Sequence, residues 1–222
     1  QHDNNKKIIS YERAFLKLYD VPVMYFPKFF HPDPTVKRQS GFLVPTIRNS
    51  STHKNYLNTP YFFAIAENKD ATFSPRFYPE DKVLLQTEYR QANLNSNHIA
   101  DFSYFAKKGK NPENHFFYEY DNEFSSKNFE NNEINFKIQQ TSNDFYLKKD
   151  KIESDIINDT DVLENSLALD LYSDDLSINL STNVYENLNK NNNDRYEYEL
   201  PRIELVKNIN NKTNLNGNFT FE

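Results

Sequence analysis

The 222-residue chain contains no cysteine, no tryptophan, one methionine and only three glycines. Without cysteine, neither a disulfide framework nor a thiolate metal site can be built from it. Without a Gly-rich stretch there is no loop to cradle phosphate, and no nucleophile or zinc signature appears either, so no enzymatic class, cofactor or metal is expected. No window approaches the ~18 consecutive apolar residues of a transmembrane helix. That leaves a transmembrane barrel open, because barrel strands carry only half an apolar pattern. Basic residues are in the minority, 26 Lys and Arg against 32 Asp and Glu, for a net charge of −6. Nucleic acid is therefore not an expected partner, since phosphate binding needs clustered cations that release counterions. The chain opens at Gln1 without a charged, apolar leader and ends within a strand-like alternation over residues 218–222. It is expected to be a piece of a longer protein.

What the chain does have is aromatics, 19 Phe and 15 Tyr, set in alternating patterns. Ala100, Phe102 and Tyr104 oppose Asp101 and Ser103, and Phe116, Tyr118 and Tyr120 oppose Glu119 and Asp121. Ile134, Phe136 and Ile138 oppose Asn135 and Lys137, Leu167, Leu169 and Leu171 oppose Ala168 and Asp170, and Ile178 and Leu180 oppose Asn179 and Ser181. This period of two predicts roughly ten or eleven antiparallel strands after Ser40, each with one apolar and one polar face. Two architectures satisfy it. In a soluble sandwich the apolar face packs on a second sheet; in an outer-membrane barrel it meets lipid while the polar face lines a hydrated lumen. Short links at 67–69, 95–97 and 173–175 alternate with longer polar ones at 107–114, 142–164 and 189–194, an asymmetry that favours the barrel. The long link 142–164 reads as a solvated acidic loop, in which Asp155, Asp159, Asp161 and Glu164 lack the glycine and spacing of a calcium loop. The five histidines, at 2, 31, 53, 98 and 115, show no ligand spacing and are read as surface residues.

The first forty residues differ. Pro22, Pro27, Pro32 and Pro34 interrupt short apolar runs, and proline lacks an amide donor, so these sites suit strand ends and edges. Residues 1–38 are predicted to be the end of one β-domain plus a linker, and 39–222 the start of another.

The fragments that carry a resemblance lie, in order, within 21–90: PVMYFP after Val21, KRQSGFLVP from Lys37, PYFFAIA from Pro60, DAT at Asp70 and EYR ending at Arg90. In this order they resemble the LptD (OstA/Imp) family of lipopolysaccharide-assembly proteins; weaker matches are SNDFYL from Ser142 and PRIEL from Pro201. The family's Gly-containing hairpin is replaced here by Pro79, Glu80, Asp81 and Lys82. The resemblance implies an all-β protein: the end of a periplasmic jellyroll-like domain, then the first ~10 antiparallel strands of a large outer-membrane barrel. It implies a transporter at the cell outer membrane rather than an enzyme. Lipopolysaccharide would arrive over an LptA-like periplasmic bridge and leave sideways through a lateral gate, in a barrel plugged by an LptE-like lipoprotein. Pro45 and Pro60 fall where the family places its gate. Lys37, Arg38, Tyr25, Phe26 and Phe29 fall where the lipid would pass, though solvated-linker and packing roles suit those residue types equally. An unrelated porin or receptor barrel, and a secreted sugar-binding sandwich, remain the alternatives.

Overall fold

A computed structural model describes residues 2–3, 8–18, 20–32, 38–48, 55–79, 82–210 and 216–221. The strands β1 (His2–Asp3), β2 (Ile8–Leu18) and β3 (Val21–Pro32) form one antiparallel sheet. All remaining strands form a second, and among the described residues helix is limited to α1 (Tyr146–Lys149) and one short 3-10 turn, Asn192–Arg195. The second sheet begins with four short pieces, β4 (Gly41–Phe42), β5 (Thr46–Arg48), β6 (Tyr56–Asn58) and β7 (Tyr61–Ala66). Longer strands follow: β8 (Lys69–Tyr78), β9 (Lys82–Ala92), β10 (Ser96–Lys107), β11 (Glu113–Phe124), β12 (Asn131–Thr141), β13 (Val162–Tyr172), β14 (Leu176–Asn187) and β15 (Tyr196–Asn210), ending with β16 (Asn216–Phe221). From β8 onward every strand pairs antiparallel with the next, an up-and-down meander without crossovers. That topology needs only hairpins, which the sequence supplies as polar links.

Register carries the predicted alternation across the whole sheet. Phe102 lies opposite Phe116, Tyr118 opposite Ile138, Phe136 opposite Leu167, Leu169 opposite Leu180, and Leu180 opposite Ile203. Directly opposed residues share a face, so the apolar residues of β10 to β15 form one continuous surface. Its side chains are not packed away. Phe102 is 46 % exposed, Phe116 44 %, Leu167 42 % and Ile203 49 %. The burial is on the other face, where Leu84, Phe105, Phe117, Asp101, Ser103 and His115 are almost fully covered.

The cover is the chain's own connection between β12 and β13, which folds back across the polar face. Tyr146, Leu147, Ile152 and Ile156 from this segment close a core with Leu84, Phe105, Phe117, Leu163 and Leu188. The predicted strands, and the predicted faces, are therefore present. Three expectations are corrected: the 142–164 link is not a solvated loop, because its apolar residues find a surface to bury, and Glu164 already belongs to β13. His115, read as a surface residue, is fully buried beneath it.

The exposed apolar face predicts a position-dependent response to charge. On the barrel expectation, Phe116→Arg in the native protein carrying this chain should destabilise the membrane-folded state by up to about 2–4 kcal/mol. Glu119→Gln, on the opposite face of β11, should cost less than about 1 kcal/mol, the scale of an exposed ion pair. Urea titration of protein refolded into lipid vesicles measures both.

Candidate functional site

The first two predicted strands of the large sheet are both broken, and proline marks each break. Pro45 sits between β4 and β5, and Pro60 between β6 and β7. Phe42 pairs with Tyr61 but Thr46 pairs with Asn58, so residues 43–45 face only 59–60. This extra residue is a β-bulge, and Pro45 occupies it. The hydrogen bonds there are one-sided. Leu43 N donates to Pro60 O at 2.9 Å, and Thr59 N donates to Pro75 O at 3.1 Å. An antiparallel pair of this kind normally exchanges two bonds. Pro60 and Pro75 have no N–H to return, so neither can supply the second bond to the carbonyls of Leu43 and Thr59. Two adjacent strand interfaces are thus weakened at one level, each by a bond worth about 0.5–1.5 kcal/mol in water.

Beside this break, the residues expected along a lipid path are placed as follows. Lys37 lies outside the described residues, as do the side chains of Phe26 and Phe29 on β3. Tyr25 is half exposed and packs on Phe15 across β2 and β3, ring centroids 4.8 Å apart. Tyr11 and Phe15 share its face and its exposure, which makes a half-exposed apolar strip on the small sheet. Arg38 is engaged: it donates to Glu67 O at 2.7 Å and pairs with Asp70, and its guanidinium lies 5.8 Å from the Phe62 ring centroid. Asp70 also accepts from Arg90 Nε at 3.0 Å. These contacts fasten the start of the large sheet to the hairpin joining β7 and β8.

The polar face holds a second constellation, which sequence reasoning did not anticipate. Arg76 donates to the carbonyls of Asp150 (3.2 Å) and Lys151 (3.1 Å) and to Gln86 Oε1 (3.3 Å). Gln86 Nε2 in turn donates to Glu153 O (2.8 Å) and to both carboxylate oxygens of Asp101. His115 Nε2 lies 3.2 Å from Asp101 Oδ1, off the line of an ideal hydrogen bond. Ser103 Oγ is 2.6 Å from His115 Nδ1 and 2.6 Å from the Tyr146 hydroxyl. Burial pushes the Tyr146 phenol well above its ordinary range, so it stays protonated and able to donate. Ser103, His115 and Asp101 are the residue types of a nucleophilic triad. Here the serine hydroxyl is fully buried against Tyr146, and neither of two open clefts, of about 460 and 330 Å³, is lined by any of the three. The arrangement therefore does not present a nucleophile to a substrate.

Local geometry explains how the covering segment turns. Lys151 adopts a left-handed conformation, φ 47°, in a chain with little glycine to spare for it. Ile152 N reaches Leu147 O and Lys151 N reaches Lys148 O, which closes α1 with a Schellman motif whose flanking residues, Leu147 and Ile152, are both buried. At its outer side, Arg195 forms a forked pair with Asp144 (2.6 and 2.9 Å) and holds Glu186 at 2.7 Å, tying this segment to the next long connection. Among the described residues no cluster of three or more His, Asp or Glu side chains could hold a metal ion; Asp161 pairs with Lys148, and Glu164 with Lys137 at 3.5 Å.

No family model matches the chain. Curated relatives do. An LPS-assembly protein LptD of Pseudoalteromonas atlantica is 28 % identical over 195 residues, 86 % of this chain and 25 % of that protein. LptD of Pseudoalteromonas translucida is 33 % identical over 134 residues (60 % and 18 %), and LptD of a Polaromonas species 44 % over 77 residues (35 % and 9 %). The chain is related to LptD. It spans a quarter or less of the length of these LptD relatives.

The Arg195 clamp gives a pH prediction. The hydrogen bond from Arg195 holds the Asp144 carboxyl below the usual carboxylate range. A depressed folded-state value stabilises above the unfolded value of about 3.9 and is lost as pH falls through the folded one. Hydrogen-exchange protection of residues 142–161, relative to the intrinsic rate at each pH, should therefore hold at neutral pH and fall only in acid below that range. Asp144→Asn should already exchange faster at neutral pH and lose the acid dependence.

Proposed function

We propose that this chain is part of a lipopolysaccharide transport and assembly protein of the cell outer membrane: residues 1–38 the end of a periplasmic β-domain, residues 39–222 the first strands of a transmembrane barrel. The observation that carries this is the exposed apolar face running across β10 to β15, opposite a polar face, in a chain related to LptD. A soluble sandwich would have covered that face; hydrocarbon needs no protein cover. The polar face, with Lys137 placed between Glu119 (3.6 Å) and Glu164 (3.5 Å), suits a hydrated lumen for the sugars.

Lipopolysaccharide is amphipathic, so its delivery requires acyl chains to leave sideways while the sugars stay in water. We assign the lateral exit to the break at Pro45 and Pro60. In lipid an unpaired carbonyl has no water to turn to, so a seam that already lacks bonds costs less to open than an intact ladder. The Tyr25 strip, together with Phe26 and Phe29, would carry acyl chains toward it, with Lys37 and Arg38 at the entry. Partners on this reading are an LptE-like lipoprotein plug and an LptA-like bridge. No bond is made or broken, so the protein acts as a transporter and not as an enzyme.

Depletion of the native protein should cause lipopolysaccharide to accumulate away from the cell surface, and re-expression should restore it; normal surface lipopolysaccharide under depletion contradicts the reading. In the restored strain, replacing both Pro45 and Pro60 by Val should slow delivery severalfold while the barrel still assembles. Unchanged delivery would remove the gate from the account.

A further inference from the structure

On the exposed apolar face, one cross-strand row begins with a charge. Lys69 lies opposite Gln91, Gln91 opposite His98, His98 opposite Tyr120, Tyr120 opposite Phe136 and Phe136 opposite Leu167. Directly opposed residues share a face, so this row is cationic at β8 and apolar by β12. Lys69 adjoins the short link 67–68, whereas Leu167 lies inside β13, so the row runs from the short-link end of the sheet toward its middle. Within β8 to β11 this face carries no Asp, Glu or Arg, and Lys69 is its one lysine. Lys69 forms no ion pair among the described residues. His98 stands two strands away, about 10 Å across the sheet. Its Nδ1 is 2.9 Å from the Tyr118 hydroxyl, and its ring centroid is 4.7 Å from that of Tyr120. With Tyr118 donating to Nδ1, the imidazole proton sits on Nε2 and is left to donate. The residues between are tied down: the Tyr89 hydroxyl donates to Gln91 Oε1 (2.5 Å), and Asn93 Oδ1 accepts from both Gln91 (2.9 Å) and Asn68 (3.0 Å). The two hairpin tips are thereby joined, which fixes the spacing of Lys69 and His98.

We propose that Lys69 and His98 form a phosphate site for one phospholipid of the leaflet at the short-link end of the barrel, with its acyl chains along Tyr120, Phe136 and Leu167. The proposal rests on the barrel reading given above. A lysine on a lipid-facing surface keeps its stem in hydrocarbon and its ammonium at the headgroup level, where the anion within reach is a phosphate. Lys69 Nζ then donates a charge-assisted hydrogen bond to one phosphate oxygen and His98 Nε2 donates to another. The row itself selects a lipid over a free anion, because rings and a leucine follow the two donors in the same register. β8 also pairs with both β6 and β7, so a phospholipid held at Lys69 lies beside the Pro45 and Pro60 break and lines the membrane next to it.

The experiment is native mass spectrometry of the full-length native protein in detergent, titrated with phosphatidylglycerol. The wild type is expected to retain one lipid more tightly than any that follow. A Lys69→Met, His98→Phe double variant, which removes both donors and leaves the face only more apolar, is expected to bind that first lipid at least fivefold more weakly. Lys69→Arg should keep it, and Lys110→Gln, in the long link between β10 and β11, should change nothing. Heat-modifiable migration on gels verifies that each variant is folded. A folded double variant that binds like the wild type would overturn the site. So would a phosphate-free galactolipid of the same chains binding as tightly as phosphatidylglycerol, which would leave only an apolar belt. Displacement by inorganic phosphate, or by lipopolysaccharide at lower concentration than phosphatidylglycerol, would overturn the phospholipid as occupant. The test is separable from the functional reading: donor-dependent retention combined with normal surface lipopolysaccharide on depletion keeps the site and discards the lipopolysaccharide assignment.

Discussion

The arrangement that everything else answers to is the exposure of an apolar sheet face. From β10 to β15 the large hydrophobic side chains point away from the covered side of the protein, and among the described residues no second sheet receives them. In water such a surface would be driven together with another copy or a partner at roughly 25 cal/mol per Å². In hydrocarbon that drive vanishes and a different demand takes over: every backbone amide must be bonded within the sheet. The antiparallel meander from β8 to β16 answers that demand strand by strand, with one register shift between Ser181 and Asn183 where β14 pairs with β15.

The same demand gives meaning to the places where it is not met. The carbonyls of Leu43 and Thr59 face prolines at one level of the sheet, and the bulge at Pro45 lies beside them. Bonds missing from an otherwise complete ladder concentrate any opening there. Inside, the opposite logic applies. A polar sheet face would ordinarily be wet, yet Asp101, Ser103 and His115 are buried because the 142–161 segment lies over them. Gln86 donates to Asp101, and Ser103 is bonded to both His115 and Tyr146, which offsets part of the cost of burying them, while Arg76 Nε and His115 Nε2 have no hydrogen-bond partner among the described residues.

Much of this was legible from residue order, and the reason is geometric. A period of two is read directly from Phe102, Tyr104, Phe116 and Tyr118, and neither register nor twist can change which residues alternate. Pro45 and Pro60 were visible as strand interruptions for a chemical reason, the absent N–H, although only the register showed that Pro75 answers them on the next strand. The covered network was not legible. Gln86, Asp101, Ser103 and His115 sit at ordinary positions of the polar face, and what sets them apart is a segment that arrives from beyond β12. Its signal was present but faint: Leu147, Ile152 and Ile156 are apolar residues in a stretch otherwise rich in Asp, Asn and Lys, and an acidic composition outweighed them. Arg38 shows the same limit. Its charge was visible, but its attachment to Asp70 depends on where the first hairpin folds.

The most direct test is the accessibility of single nitroxide labels in the membrane-reconstituted protein. Because the chain has no cysteine, single sites can be introduced within it cleanly at Phe116, Leu169 and Ile203 on one face and at Glu119 and Asp170 on the other. The account predicts that labels at the first three relax with oxygen, which partitions into lipid, and that labels at the other two relax with a water-soluble nickel chelate. Labels on the apolar face that are shielded from both reagents would mean that this face packs against protein, and the barrel reading would fall.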